Sequence, residues 1–132
     1  MFTFIVRRRK VRRRRKVSVA KRKHYVLNKE VARRAIVARV AELNQHYNFT
    51  HGRISIRSQR SRWGSCSKKG NLNFNYMIAS LPPALMDYVI VHEMCHLSVF
   101  NHSPSFWARV AELVSNHRAL RASLRTHGHL IR

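Results

Sequence analysis

The residues best suited to chemistry lie close together, at His92, Glu93 and His96. On an α-helix, residues four positions apart share one face, so both imidazoles can bind one metal ion. Neutral imidazole is a good zinc ligand, and Glu93 is placed to take a proton from a water molecule. The pattern therefore predicts a catalytic zinc site, with one zinc ion per chain and Glu93 as the general base.

A catalytic zinc site of this kind uses three protein ligands and keeps a further position open. One candidate for the third ligand is His102, six residues beyond His96, in a turn after the helix. This spacing is similar to that of the three-histidine zincin motif, although Val99 stands where that motif has glycine. The alternative is Glu112 on a later helix, whose simpler interpretation is a solvated carboxylate. We predict that the ligands are His92, His96 and His102.

The segments around this motif predict the helices that position it. The prolines at 82 and 83 can begin a helix but not continue one, so the motif helix is expected over 82–100. It is apolar on most sides, which is typical of a buried central helix. Ser103 and Pro104 signal the start of another helix, and a last one is expected over 118–125.

Upstream of the motif helix, the sequence predicts one long helix and two strands. The helix is expected from Asn28, a suitable N-cap residue, to about Asn48. Residues 53–57 and 71–76 alternate like half-buried strands, and the polar loop 58–70 between them predicts an antiparallel pair. The length of this loop makes it a candidate for function.

Positive charge is concentrated at the N-terminus. Twenty-seven Lys and Arg face five Asp and Glu among 132 residues, a formal charge of +22, and nine of the ten residues over 7–16 are basic. Such density predicts either a solvated tail or contact with nucleic acid, a ribosome or anionic lipid. We divide the chain into a basic arm, 1–23, and a catalytic domain, 24–132. The predicted nucleic-acid contacts are Arg7, Arg8, Arg9, Arg12, Arg13, Arg14 and Arg15.

Cysteine content and hydropathy define the expected compartment. Two cysteines, Cys66 and Cys95, are too few for a disulfide framework, so the reducing cytoplasm is expected. No apolar run approaches the roughly 20 residues of a membrane span, and no secretory signal is recognisable. Cys95 is predicted to lie in the core, and Cys66 is a candidate for an oxidation-sensitive or site-lining thiol. No obligate protein partner is predicted.

Several separate motifs occur in a fixed order along the chain. They are SRWGSC at 61–66, GN at 70–71, DYVIVHEMCHL at 87–97 and NHSPSFW at 101–107. Together they resemble the YgjP-like metallohydrolases, a family grouped with zincin-type metallopeptidases and similar to SprT-like proteins. The resemblance covers about 28–107, and the short basic arm stands where family members carry a longer β-rich segment.

The resemblance implies a compact α+β zincin-like fold, with a small sheet packed on the motif helix and further helices flanking it. It implies zinc on three histidines and so favours His102 over Glu112. It also places the 62–66 loop beside the active site, where Arg62, Trp63 and Ser65 would contact substrate. The alternative interpretation is a simple turn, with Trp63 packed as a plug.

Three functions are compatible with these observations. The first is a zinc metallopeptidase acting on peptides or proteins, and the second is a nucleoside triphosphate pyrophosphatase with the same zinc site. The third is a non-catalytic basic zinc module that binds nucleic acid or a ribosome. A structural zinc site would need four protein ligands, and a single zinc ion is more typical of acyl than of phosphoryl chemistry. We therefore expect a metallopeptidase, with the pyrophosphatase as the alternative.

Overall fold

A buried helix, α2 (Pro83–Cys95), contacts the sheet and every other α-helix. The structure, a computed structural model, describes residues 2–5 and 19–132, and describes side chains from Asn28 onward. Pro83 begins α2, since its fixed φ suits the first helical turn. Val89, Ile90 and Val91 are all fully buried, so three successive positions around the helix face protein. The prediction of a central apolar helix is confirmed.

The end of α2 differs from the prediction. The helix ends at Cys95 and not near Phe100, although His96 keeps nearly helical angles, φ −66° and ψ −15°. The N–H of Val99 donates to the carbonyl of Cys95 at 3.0 Å, which closes a tight turn. Because the helix stops here, the chain can fold back over the C-terminal end of α2 within a few residues.

The other helices are α1 (Val19–Tyr47), α3 (Pro104–Ala111) and α4 (His117–Thr126), with 3₁₀ helices at Tyr76–Ser80 and Gly128–Leu130. The predicted starts of α3 and α4 are confirmed to within a residue. The predicted start of α1 at Asn28 is wrong. Neither proline nor glycine interrupts 19–28, and Lys and Arg are good helix formers, so the helix begins earlier. The boundary predicted between 23 and 24 lies inside α1.

Helix α1 packs on the core through Ala32, Ile36 and Val40, which are 3%, 0% and 1% exposed. A two-pronged ion pair joins it to α2. Nε and Nη2 of Arg39 donate to the two carboxylate oxygens of Asp87 at 2.7 and 2.8 Å. Helix α1 is therefore held by apolar contacts with the core and by an ion pair with α2.

The sheet has four strands: β1 (Phe2–Ile5), β2 (Ile54–Arg57), β3 (Arg62–Cys66) and β4 (Leu72–Asn75). Their spatial order is β1-β3-β4-β2. Strand β3 is antiparallel to β1 on one side and to β4 on the other, and Gly64 lies opposite both Phe4 and Phe74. The mixed sheet packed on α2, with helices around it, confirms the predicted α+β class.

The antiparallel pairing predicted for 53–57 and 71–76 is wrong. Strands β2 and β4 are parallel, with Ile54 opposite Leu72 and Ile56 opposite Phe74. Parallel neighbours need a crossover of about a dozen residues or more, and the segment 58–71 supplies it. That segment is also not simply a loop, because it contains β3.

None of the helices in the described part of the chain is long and apolar enough to cross a membrane. The largest fully buried side chains belong to one core cluster and include Trp63, Phe74, Tyr88 and Phe106. The functional candidates lie beside this core, at the C-terminal end of α2.

Candidate metal centre

Helix α2 places two histidines one turn apart. His92 and His96 are 3% and 0% exposed, and their Nε2 atoms are 3.2 Å apart. The i, i+4 spacing brings both rings to one face of the helix, as predicted. The ring planes are nearly perpendicular, at 79°, so the two nitrogens converge while the rings remain separate.

His102 completes the cluster from the turn between α2 and α3. Its Nε2 lies 3.2 Å from Nε2 of His92, and one ligand nitrogen from each of the three rings lies within 4.8 Å of the others. A tetrahedral zinc ion with nitrogens at about 2.0–2.1 Å separates neighbouring ligand nitrogens by about 3.3 Å. The three side chains therefore have the donor type and the spacing that a zinc ion requires.

Hydrogen bonding also favours metal binding over a purely hydrogen-bonded cluster. Nδ1 of His96 donates to the carbonyl of Val99 at 3.0 Å, so in the neutral ring the Nε2 lone pair faces the cluster. Nε2 of His92 is close to Nε2 of both His96 and His102. A ring nitrogen carries at most one proton, so it cannot donate along both contacts, whereas one metal ion can accept all three lone pairs.

The three imidazoles are held in the form that binds metal. Burial, followed by the nearby His96, His102 and Arg121, lowers the pKa of His92 well below its ordinary value. Burial lowers the pKa of His96 to about 4, against the opposing effect of its hydrogen bond to Val99. Burial likewise lowers the pKa of His102, with Arg121 adding to the effect. These imidazoles are therefore neutral at pH 7 and do not have to lose a proton to bind metal.

Aromatic rings from α3 hold the histidines in place. Phe106 stacks on His96 with ring centroids 4.4 Å apart and planes 14° apart. Trp107 lies beside His102 at 5.9 Å and 26°. The Ser103–Pro104 helix start sets the position of both aromatic side chains, since they occupy the first turn of α3. Phe106 is fully buried, so the cluster lies against the core on that side.

Glu93 follows His92 on α2 and is fully buried. Strand β3 passes very close to it, because a β-carbon added to Gly64 would lie 3.0 Å from Cγ of Glu93 and 3.0 Å from the carbonyl oxygen of Asn73. Any larger residue at position 64 would require Glu93 or the backbone of Asn73 to shift by a few tenths of an ångström. The segment predicted as a functional loop therefore approaches Glu93 through its backbone, and its functional role stays a prediction.

The predicted substrate-contacting residues of β3 differ in exposure. Trp63 and Ser65 are 1% and 3% exposed, and their contact with a substrate stays a prediction. They are buried because the segment is a strand covered by the sheet and α2. Arg62 is half-buried at the start of β3, and its role stays a prediction.

Glu112, the rival ligand, lies on the surface after α3. Its carboxylate accepts hydrogen bonds from Nη1 of Arg109 at 3.1 and 3.3 Å and lies 3.2 Å from Nε2 of His46. Within the described part of the chain, the one group of side chains arranged to hold a metal is His92, His96 and His102. Arg7, Arg8, Arg9 and Arg12 to Arg15 lie outside the described residues.

Both cysteines are thiols and both are fully buried. Burial raises the pKa of Cys95 to about 11, and the prediction that it belongs to the core is confirmed. Burial, with a further contribution from the charge of Glu93, raises the pKa of Cys66 to about 12. An oxidation-sensitive thiol is accessible and ionised, so that interpretation of Cys66 is wrong.

The sequence alone did not single out Arg121 on α4. Its guanidinium carbon lies 5.6 Å from the centre of the Trp107 ring, and His117 stacks on the same ring at 4.9 Å. His117 and Arg121 are four residues apart, so they share a helix face. That spacing was visible in the sequence, but nothing there indicated that the face is turned towards Trp107.

Comparisons with known proteins bear on this geometry. Residues 6–127 match the family described as YgjP-like, metallopeptidase domain. No curated protein matches the chain. Among solved structures, the zymogen of the metallopeptidase abylysin from Pyrococcus abyssi aligns with a TM-score of 0.64 and 19% identity over 70% of this chain and 93% of its own. The zymogen of the metallopeptidase jannalysin from Methanocaldococcus jannaschii gives 0.60 and 25%, over 73% and 97%.

Proposed function

The chain belongs to the YgjP-like metallopeptidase family, and from this premise we propose that it is a zinc-dependent peptidase with Glu93 as its catalytic base. One zinc ion per chain would be held by His92, His96 and His102. The observation that carries the proposal is the convergence of the three Nε2 atoms, at zinc-ligand spacing, beside a buried carboxylate.

The donor set supports a catalytic rather than a structural ion. Three neutral imidazoles leave a fourth tetrahedral position for water or substrate. A zinc ion bound here would act as a Lewis acid. It would polarise the carbonyl group of the substrate and make a bound water molecule more acidic. His102 is exposed while the other two histidines are buried, so the cluster is open to solvent on the His102 side.

Glu93 takes the proton of the attacking water in this proposal. Two features prepare it for that role. It directly follows His92 on α2, and Gly64 of β3 packs against its side chain and restricts its movement. The proton then passes to the amine that leaves, so Glu93 ends the cycle as it began. The substrate class is a peptide or protein.

The decisive test uses the zinc-loaded protein and fluorescently labelled casein. Glu93→Gln keeps the size of the side chain but removes the base, so kcat should fall about 10²–10⁴-fold while zinc content stays the same. Glu112→Gln is the matched control, since this carboxylate lies on the surface, and it should keep wild-type activity. Equal activity in the two variants would contradict the proposal. Hydrolysis of ATP that depends on Glu93, without casein cleavage, would instead support the nucleotide pyrophosphatase.

We propose, as a separate function, that the basic arm contacts nucleic acid. We also propose that the protein is cytoplasmic. The support for nucleic-acid contact is the charge density over 7–16. The test replaces the seven arginines over 7–15 by glutamine and keeps β1 and α1 intact. Binding to a DNA duplex should weaken and lose most of its salt dependence. Binding that the substitutions leave unchanged would contradict this role.

A further inference from the structure

Arg121 lies on α4, above the aromatic ring that borders the metal centre. Its guanidinium is 5.6 Å from the centre of the Trp107 ring, which is a cation–π distance. The Trp107 ring is in turn 5.7 Å from His92 and 5.9 Å from His102. One indole ring therefore connects the guanidinium with two of the three predicted zinc ligands.

The positive charge of Arg121 is not neutralised by an ion pair with any described residue. Arg121 is exposed, and the ion pairs between described residues do not include it. The guanidinium can therefore meet an anion that reaches Trp107 from the solvent.

A cation in this position has a cost for metal binding. Two positive charges repel each other, and the repulsion is stronger near a protein surface than in bulk water. An arginine next to zinc ligands therefore weakens zinc binding, unless an anion lies between the two charges. Peptide hydrolysis generates such an anion, because attack by water places a negative charge on the former carbonyl oxygen.

We propose that Arg121 is a catalytic residue of the peptidase, whose guanidinium donates hydrogen bonds to the oxygen that becomes negative during peptide hydrolysis. The inference rests on the proposed function. The water oxygen bonds to the carbonyl carbon, the carbonyl π pair moves to oxygen, and Glu93 accepts the water proton. When the C=O bond re-forms, the C–N bond breaks and the leaving amine takes a proton.

Arginine suits this role better than lysine would. Its planar guanidinium stacks on an indole and still directs N–H groups outward in a fixed fork. Contact with Trp107 limits its rotamers, so the donors are oriented before the charge develops, as electrostatic stabilisation of a transition state requires.

Steady-state kinetics with labelled casein separates this role from a structural one. In Arg121→Ala, kcat should fall about 100-fold, the effect of losing one oxyanion donor, while KM changes by less than about threefold. Zinc content should not fall and Tm should not decrease, since removal of the cation lessens the repulsion on the metal. Added guanidinium ion should restore part of the activity. Arg118→Ala, an exposed arginine three residues earlier on α4, is the matched control and should behave like the wild type.

Binding of a transition-state mimic tests Arg121 without turnover. A phosphonamidate dipeptide carries a tetrahedral anionic centre, so its calorimetric affinity for the zinc-loaded protein should fall about 100-fold in Arg121→Ala and stay constant in Arg118→Ala. Equal affinity in both variants would overturn the proposal, as would an effect on KM alone or a loss of zinc. If the wild type binds the mimic through Arg121 but cleaves no peptide, the proposed function fails and the anion-binding role stands.

Discussion

Two histidine-rich regions of the chain have different surroundings. In the first, His92, His96 and His102 come together from α2 and the following turn, with Nε2 contacts of 3.2 Å. In the second, His127 and His129 follow α4, only two residues apart. Each of these donates from Nδ1 to a nearby carbonyl, His127 to Ser123 at 3.0 Å and His129 to Thr126 at 3.1 Å.

The difference shows that the number of histidines does not make a site. Local hydrogen bonds orient the side chains of the second region towards their own backbone, and in the described part of the chain no metal cluster includes them. In the first region, helical spacing supplies two rings, and a turn closed by Val99 returns the third. Aromatic packing from α3 then keeps the three nitrogens together.

The strongest test of this contrast removes one histidine from each region. His96→Ala should weaken zinc binding by more than the ~100-fold that loss of an outer hydrogen-bond partner costs, because a direct ligand is lost. The increase in Tm produced by zinc should disappear with it. His129→Ala should keep both properties. Zinc competition with a chromophoric chelator and thermal melts provide the measurements, and equal zinc affinity in the two variants would contradict the assignment.

The second test concerns the burial of the two thiols. Burial raises the pKa of Cys66 to about 12 and that of Cys95 to about 11, so at pH 8 each thiol is almost wholly protonated. A disulfide reagent should therefore react at least about 100-fold more slowly with the folded protein than with the protein in guanidinium chloride. Rapid labelling of Cys66 before unfolding would mean that β3 is accessible to solvent, and rapid labelling of Cys95 would mean the same of the end of α2.

The smallest expected effect comes from close packing on Glu93. In Gly64→Ala, the added methyl group meets the side chain of Glu93 and the backbone of Asn73 at 3.0 Å. Because the backbone cannot give way easily, we expect a loss of about 1–3 kcal/mol in the free energy of unfolding, measured in urea. Ala122→Ser, on the exposed side of α4, should stay within about 0.5 kcal/mol. Equal stability of the two variants would mean that β3 can move away from Glu93.

Much of the metal centre could be predicted because its signals are local. The spacing of His92 and His96 indicates a shared helix face, and the Ser103–Pro104 pair indicates where the next helix begins.

Strand β3 was missed for a physical reason. Four of its five residues are buried, so it lacks the alternation of a strand with one wet face, and Gly64 looks like a turn residue.

Parallel pairing of β2 with β4 could not be read from the two segments either. Alternation shows which side of a strand is apolar, but not the direction of its neighbour. The predicted start of α1 was wrong for a similar reason. Asn28 is a good cap residue, but it also fits inside a helix when no helix-breaking residue precedes it.

The sequence by itself determined the chemistry that this protein can do, because residue type and helical spacing already specify imidazole ligands, a neighbouring carboxylate and the helix that carries them. Only the tertiary structure decided what surrounds that chemistry. It turned His102 back towards α2, brought Gly64 against Glu93 and placed Arg121 over Trp107. These contacts join residues from separate elements, and their distances depend on how those elements pack, which no local pattern of side chains encodes.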